Sequence, residues 1–136
     1  MSPQVWGACA WKFCHAATLA YEIDPTPEQK QHATMFFRSL GHILPCKICR
    51  RHYMQHIRAN PPRVESRESL SKWFVEVHNS VNRMRGEKEY DYDTVVRHYT
   101  ENSGECNGSS FDTTKALLLI VSVAAVVLLI QRMRMK

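Results

Sequence analysis

Two cysteines, Cys46 and Cys49, with only Lys47 and Ile48 between them, carry the most readable chemistry in this sequence. A thiol pair at that spacing exchanges disulfides when it sits at a helix N-terminus, where free amide hydrogens and the macrodipole stabilise the attacking thiolate. Lys47, Arg50 and Arg51 add positive charge that acts in the same direction. The same spacing also serves zinc sites, and Cys46, Cys49, His52 and His56 do form a C-x2-C-x2-H-x3-H string. Zinc fingers draw their ligands from two separated elements so that they surround the metal, whereas these four fall on one continuous helix. Redox work is the leading reading and no metal site is predicted. His52 and His56 taken singly read as a half-exposed helix face beside the pair.

A second cluster is Trp73, His78, Asn79, Asn82 and Arg83. His78 and Asn82 are four apart, as are Asn79 and Arg83, so two adjacent polar rows run along one helix and suit a polar ligand lying against it. The plainer reading puts Trp73, Phe74, Val77 and Val81 in the core and leaves the polar residues to solvate the other face. The helix alone does not separate the two. Trp11 and His15, four apart with Tyr21 following, pose the same choice between stacking on an aromatic ligand and edging the core.

The elements that must position these groups are helical, because the apolar residues recur at helical spacing and no run alternates at period two. A first helix is predicted over Ser2 to Tyr21, with Trp6, Cys9/Ala10, Phe13 and Ala17 on one face and Asp24-Pro25 as its end. Thr26-Pro27-Glu28-Gln29 starts a second, carrying Met35, Phe36, Phe37 and Leu40 to a stop near Gly41. A third begins at Leu44-Pro45-Cys46 and runs through Ile57 until Asn60-Pro61-Pro62 breaks it. Ser66 caps a fourth holding Leu70, Trp73, Phe74, Val77, His78 and Val81, which ends around Gly86. A short fifth covers Asp93 to Tyr99. The fold class is therefore all-α.

The chain has 136 residues, room for one domain of about 100 residues and its appendages. Its formal charge of +5 is unevenly spread: residues 1–112 hold 14 Lys/Arg against 13 Asp/Glu, and Lys115, Arg132, Arg134 and Lys136 supply the rest. Those four bracket an apolar run from Ala116 to Ile130, which reads as a membrane segment with cationic ends rather than a phosphate-binding face, so nucleic acid is not a predicted partner. The run is shorter than the roughly 20 residues that cross a bilayer core, but Thr113, Thr114 and Met133 extend it if Lys115 snorkels. Five cysteines are too few for a disulfide scaffold, so the fold must stand on packing. The predicted organisation is a catalytic domain at 1–101, a Gly/Ser/Asn-rich tether at 102–112, a transmembrane anchor at 113–133 and a cationic tail at 134–136.

Taken in order, Trp6-Gly7, Trp11, His15, Tyr21, Pro25-Thr26-Pro27, Leu44-Pro45-Cys46-Lys47-Ile48-Cys49, Trp73 and His78-Asn79-Ser80-Val81-Asn82 resemble the FAD-linked sulfhydryl oxidases of the Erv/ALR type. The resemblance spans nearly all of residues 5–100 and implies a four-helix bundle that holds FAD at its mouth, a short fifth helix, and a homodimer. It implies that Trp11, His15 and Tyr21 line the flavin from the first helix and that His78, Asn79, Val81, Asn82 and Arg83 hold it from the fourth. Lys88 and Tyr99 take the places of a family lysine and of an aromatic near the adenine end. Cys49 would lie against the isoalloxazine, while Cys46 would form the mixed disulfide with a thiol-bearing protein or a thioredoxin-like carrier. Electrons would then reach molecular oxygen, releasing hydrogen peroxide.

Cellular members of that family commonly carry a structural disulfide whose positions here are Val75 and Tyr92. Losing both together resembles the compact versions encoded by large DNA viruses. Cys14 is expected as a buried thiol beside the cofactor, and Cys9 and Cys106 as free thiols or one bridge. No cleaved signal peptide is predicted at the N-terminus, which favours a cytoplasmic catalytic domain on a host or virion membrane, although the cations after the apolar run argue for a cytoplasmic C-terminus. The rival from another class is a membrane-tethered thiol or zinc-binding adaptor with a structural Cys pair.

Overall fold

The computed structural model describes residues 1–101; the predicted tether, anchor and tail, with Cys106, lie outside the described residues. Five helices follow one another: α1 (Pro3–Leu19), α2 (Pro27–Ile43), α3 (Lys47–Ala59), α4 (Arg67–Arg85) and α5 (Tyr92–Glu101). The all-α reading, with four longer helices and a short fifth, is what the structure has.

The start of each of the first four helices is written in a capping side chain that satisfies amides the helix leaves free. Ser2 caps α1. Thr26 and Gln29 form a reciprocal box on α2: the Gln29 amide donates to the Thr26 hydroxyl at 3.2 Å and the Thr26 amide to the Gln29 side-chain carbonyl at 2.8 Å. Ser66 and Ser69 do the same for α4. The cap of α3 is unusual in being a thiol: Cys46 Sγ accepts the Cys49 amide at 3.3 Å. Gly86 ends α4 at φ +67°, the left-handed conformation that costs glycine least.

The core is built where α1, α2, α3 and α4 meet, from Cys14, Phe37, Tyr53, Ile57, Leu70, Trp73, Phe74 and Val77. Ser71 stitches α4 to α1 by donating to the Thr18 carbonyl at 3.1 Å. Two predicted faces differ from the observed ones. In α1 the buried residues are Cys14, His15 and Thr18, with Trp11 packed against the core, whereas Cys9 and Phe13 are exposed. The N-terminal half of α1 is apolar on almost every side, so periodicity could not choose a stripe; the polar groups of His15 and Thr18, which find partners inside, chose it. In α2 only Phe37 of the Met35-Phe36-Phe37 run is buried.

Gly41 does not stop α2, which continues two residues further. It is buried because α3 passes close by: a β-carbon there would overlap Met54 Sδ and lie 2.8 Å from Met54 Cγ and 3.3 Å from Tyr53 Cδ1. Gly41→Val is expected to cost about 1–3 kcal/mol through overpacking. Thermal unfolding should register this as a fall of several degrees in Tm; an unchanged Tm would mean that α2 and α3 separate freely.

Candidate redox site

α3 places the two cysteines differently although they are three residues apart. Cys46 is the capping residue, and its sulfur takes the Cys49 amide. Its thiol is held below the usual cysteine range, first by hydrogen bonding to the Cys49 thiol and then to the Cys49 amide. Cys49 lies one turn inside, on the wall of a cavity of about 570 Å³ between the ends of α1, α2, α3 and α4. Burial, and then its neighbour Cys46, push its thiol up to about 11. In the reduced pair the first proton therefore leaves Cys46. Both sulfurs are free thiols in the structure.

The cavity walls are mostly apolar and aromatic. Trp11, Phe74 and Tyr53 supply planes, Leu40, Leu44 and Val81 supply aliphatic surface, and Cys14, His78 and Asn82 complete the inner wall. Its size and lining are those of a small-molecule site, mostly apolar with a few placed polar groups. Trp11 and His78 stack face to face at 3.9 Å and 8°. Behind them His15 Nε2 and His78 Nδ1 share a hydrogen bond of 2.9 Å, and Tyr99 of α5 stacks on His15 at 4.7 Å. Trp6, also on the wall, has a buried indole N–H with no acceptor, the kind of group that a bound molecule with carbonyl or ring-nitrogen acceptors would satisfy.

Of the residues singled out in the sequence, Trp11, Cys49, His78, Val81 and Asn82 line the cavity. His15 and Tyr99 stand behind that wall. The remaining four are engaged elsewhere. Asn79 holds the Tyr90 backbone, donating to its carbonyl at 2.8 Å and accepting its amide at 2.9 Å, which folds the return after α4 back against the helix. Asn82 supports the same return by donating to the Lys88 carbonyl at 3.2 Å. Arg83 pairs with Glu89 on the surface, and the Lys88 side chain is exposed. Tyr21 donates to the Val64 carbonyl at 3.2 Å, near the start of α4.

Tyr53, Arg85 and Glu87 also line the cavity and were not singled out. Tyr53 had a signal in the sequence, since it lies four residues after Cys49 and so on the same face of α3. Its hydroxyl donates to the Phe37 carbonyl at 2.7 Å, leaving the ring to form the wall. His52, read as a half-exposed face, reaches the cavity as well. Cys14 is buried on the cavity wall, where loss of water pushes its thiol up to about 11 and keeps it inert. Among the described residues no group of three or more His, Cys, Asp or Glu is gathered to hold a metal ion.

The sequence profile of the Erv1 / Alr family matches residues 8–100. The chain belongs to that family. A probable FAD-linked sulfhydryl oxidase of Acanthamoeba polyphaga mimivirus is 41% identical over 99 residues, which are 71% of this chain and 69% of the viral protein. The mitochondrial FAD-linked sulfhydryl oxidase of Saccharomyces cerevisiae is 36% identical over 62% of this chain, yet only 45% of the yeast protein is covered. The crystal structure of the FAD binding domain of yeast Erv1 superposes with a TM-score of 0.71 at 32% identity, covering 74% of this chain and 96% of that one. The Cys pair and most of the residues that line the cavity lie inside the matched span.

The paired histidines of this Erv1 / Alr domain are expected to make it acid-sensitive. Burial, followed by the charges of His78 and His98, lowers His15 to about 3, and burial lowers His78 to about 4 against the pull of Glu87. Unfolding releases both to an ordinary value near 6.5, so the unfolded chain binds protons first as the pH falls. Stability should therefore be complete above about pH 6.5 and decline toward pH 4, by up to about 1.4 kcal/mol per pH unit for each histidine. Urea midpoints at pH 7 and pH 5 check this; equal midpoints would show that the pair is not held neutral.

Proposed function

We propose that this chain is an FAD-dependent thiol oxidase that makes disulfides in protein thiols and delivers the electrons to oxygen as hydrogen peroxide. The observation that carries the reading is the split between the two sulfurs: Cys49 lies on the cavity wall and Cys46 caps the helix outside it. A substrate thiolate attacks Cys46 of the oxidised pair and expels Cys49 as the leaving thiolate, and a second substrate thiolate then resolves the mixed disulfide. Cys46 is suited to its part because its thiolate is the more stable of the two. Bound FAD would supply the electron acceptor next to Cys49 and the step to oxygen that side chains cannot perform.

The proposed flavin-binding residues fall into two ranks. Trp11, Cys49, His78, Val81 and Asn82 would touch the group, with Trp11 and His78 offering the flat faces. His15 and Tyr99 would brace them from behind, and Tyr21, Asn79, Arg83 and Lys88 would shape the rim and the return beyond α4. His78→Ala is expected to empty the site: the purified full chain should carry about one flavin, and the variant should lose most of it while staying helical. A colourless wild type would refute the reading, since the cavity would then serve something other than flavin.

The same reading includes pairing into a homodimer, supported by an exposed apolar surface on α1 and α2 where Phe13 meets Phe36 edge-on at 6.1 Å. It also includes a single-pass anchor at 113–133, supported by the apolar run and its cationic ends, and it puts the catalytic domain on the cytoplasmic side. Asn107-Gly108-Ser109 tests that side, because glycosylation there would put the tether in the lumen.

A further inference from the structure

We propose that the cationic surface around Cys46 docks substrate segments that carry acidic residues beside their thiols. The inference rests on the thiol-oxidase reading and narrows its substrate class. From Gln29 to Val64 the chain holds seven Lys/Arg and no Asp or Glu. Lys30 and Arg63 are neutralised by Glu65 and Glu76, but Arg38, Lys47, Arg50, Arg51 and Arg58 have no ion-pair partner among the described residues. Lys47 and Arg51 are exposed one turn apart on α3, immediately after the outer sulfur, and Ile48 between the cysteines is 59% exposed.

Helix stability does not account for this arrangement. A cation in a first turn opposes the macrodipole by about 0.3–1 kcal/mol, and α2, α4 and α5 each place an acidic residue there: Glu28, Glu68 and Asp93. α1 and α3 have none, and of these two only α3 puts a cation there, Lys47. Nor is the charge needed chiefly for the thiolate, because the largest contributions there come from Cys49. Exposed cations beside a sulfur that must meet another protein do have a use in steering and registering an anionic partner. The exposed Ile48 gives that partner an apolar contact next to the reacting thiol.

The test uses three dithiol peptides that differ only in flanking residues, Glu, Ser or Lys, oxidised by the full chain while oxygen uptake is followed. The ratio of kcat/KM for the Glu peptide over the Lys peptide should be about tenfold at low salt, the yield of two or three surface pairs. It should shrink toward one at about 1 M salt. Lys47→Glu with Arg51→Glu should invert the ratio, and because it is a ratio, any change in thiol reactivity cancels. Arg58→Glu, about 18 Å along α3 from Cys46, should change it far less. Equal rates for the three peptides, or a preference that survives the double reversal, would overturn the proposal. So would anionic vesicles that bind the wild type but not the double variant, with the peptide ratio unaffected, since the surface would then face lipid. Failure to oxidise even the Ser peptide would instead sink the oxidase reading itself.

Discussion

Cys46→Ser is expected to reduce oxidation of a protein dithiol by at least about a thousandfold while leaving the thermal midpoint almost unchanged. The two halves of that expectation come from the two roles of one sulfur. As the cap of α3, Cys46 Sγ accepts the Cys49 amide, and serine is among the best residues for that position, so the helix keeps its start. As the outer redox sulfur it forms a covalent bond that a hydroxyl does not form, and Cys49, pushed up to about 11 by burial, is a poor substitute at neutral pH. Oxygen uptake together with calorimetry separates the roles. A variant that retains more than about a tenth of the rate would mean that substrates reach Cys49 directly; one that unfolds would mean that the cap matters more than the chemistry.

The second large effect is structural. Trp73 is 0% exposed, packs edge-on to Phe37 at 5.1 Å, and donates its indole N–H to the Asn60 carbonyl at 2.9 Å. That bond fastens the end of α3 to the middle of α4, and so fixes the far end of the helix whose start carries the cysteines. Trp73→Ala should cost about 3–5 kcal/mol from lost burial and the cavity left behind. The orphaned Asn60 carbonyl adds to this, and the sum approaches the whole stability of a small domain. Trp73→Phe should cost roughly half as much, since it keeps most of the packing and loses the bond. Chemical denaturation of both variants measures this, and a midpoint for the alanine variant within error of wild type would show that the core does not depend on the indole.

Several helix boundaries were legible because they are encoded locally: Thr26-Pro27 with Gln29 and Ser66 at two starts, and Gly86 after the last turn of α4. Much of the inner cavity wall was legible too, since Trp11, Cys49, His78, Val81 and Asn82 recur on helical faces and match a family pattern. What escaped the sequence depends on tertiary packing. Gly41 looked like a helix stop because glycine disfavours helices, and only the approach of Met54 and Tyr53 reveals why the chain needs no side chain there. The buried stripe of α1 was misplaced because almost every side of its first half is apolar. The structure also shows the Asn79 amide binding the Tyr90 backbone, a contact eleven residues away that no periodicity announces.

The central claim is that electrons pass from a substrate thiol through Cys46 and Cys49 to a flavin in the cavity. It is tested most directly by adding a dithiol to the purified full chain without oxygen and following the flavin absorbance. The wild type should bleach, and admitting oxygen should restore the colour with one hydrogen peroxide formed for each disulfide made. Cys49→Ser should bind flavin and stay yellow. A wild-type flavin that the dithiol does not bleach, or a Cys49→Ser flavin that bleaches as fast as the wild type, would contradict the account.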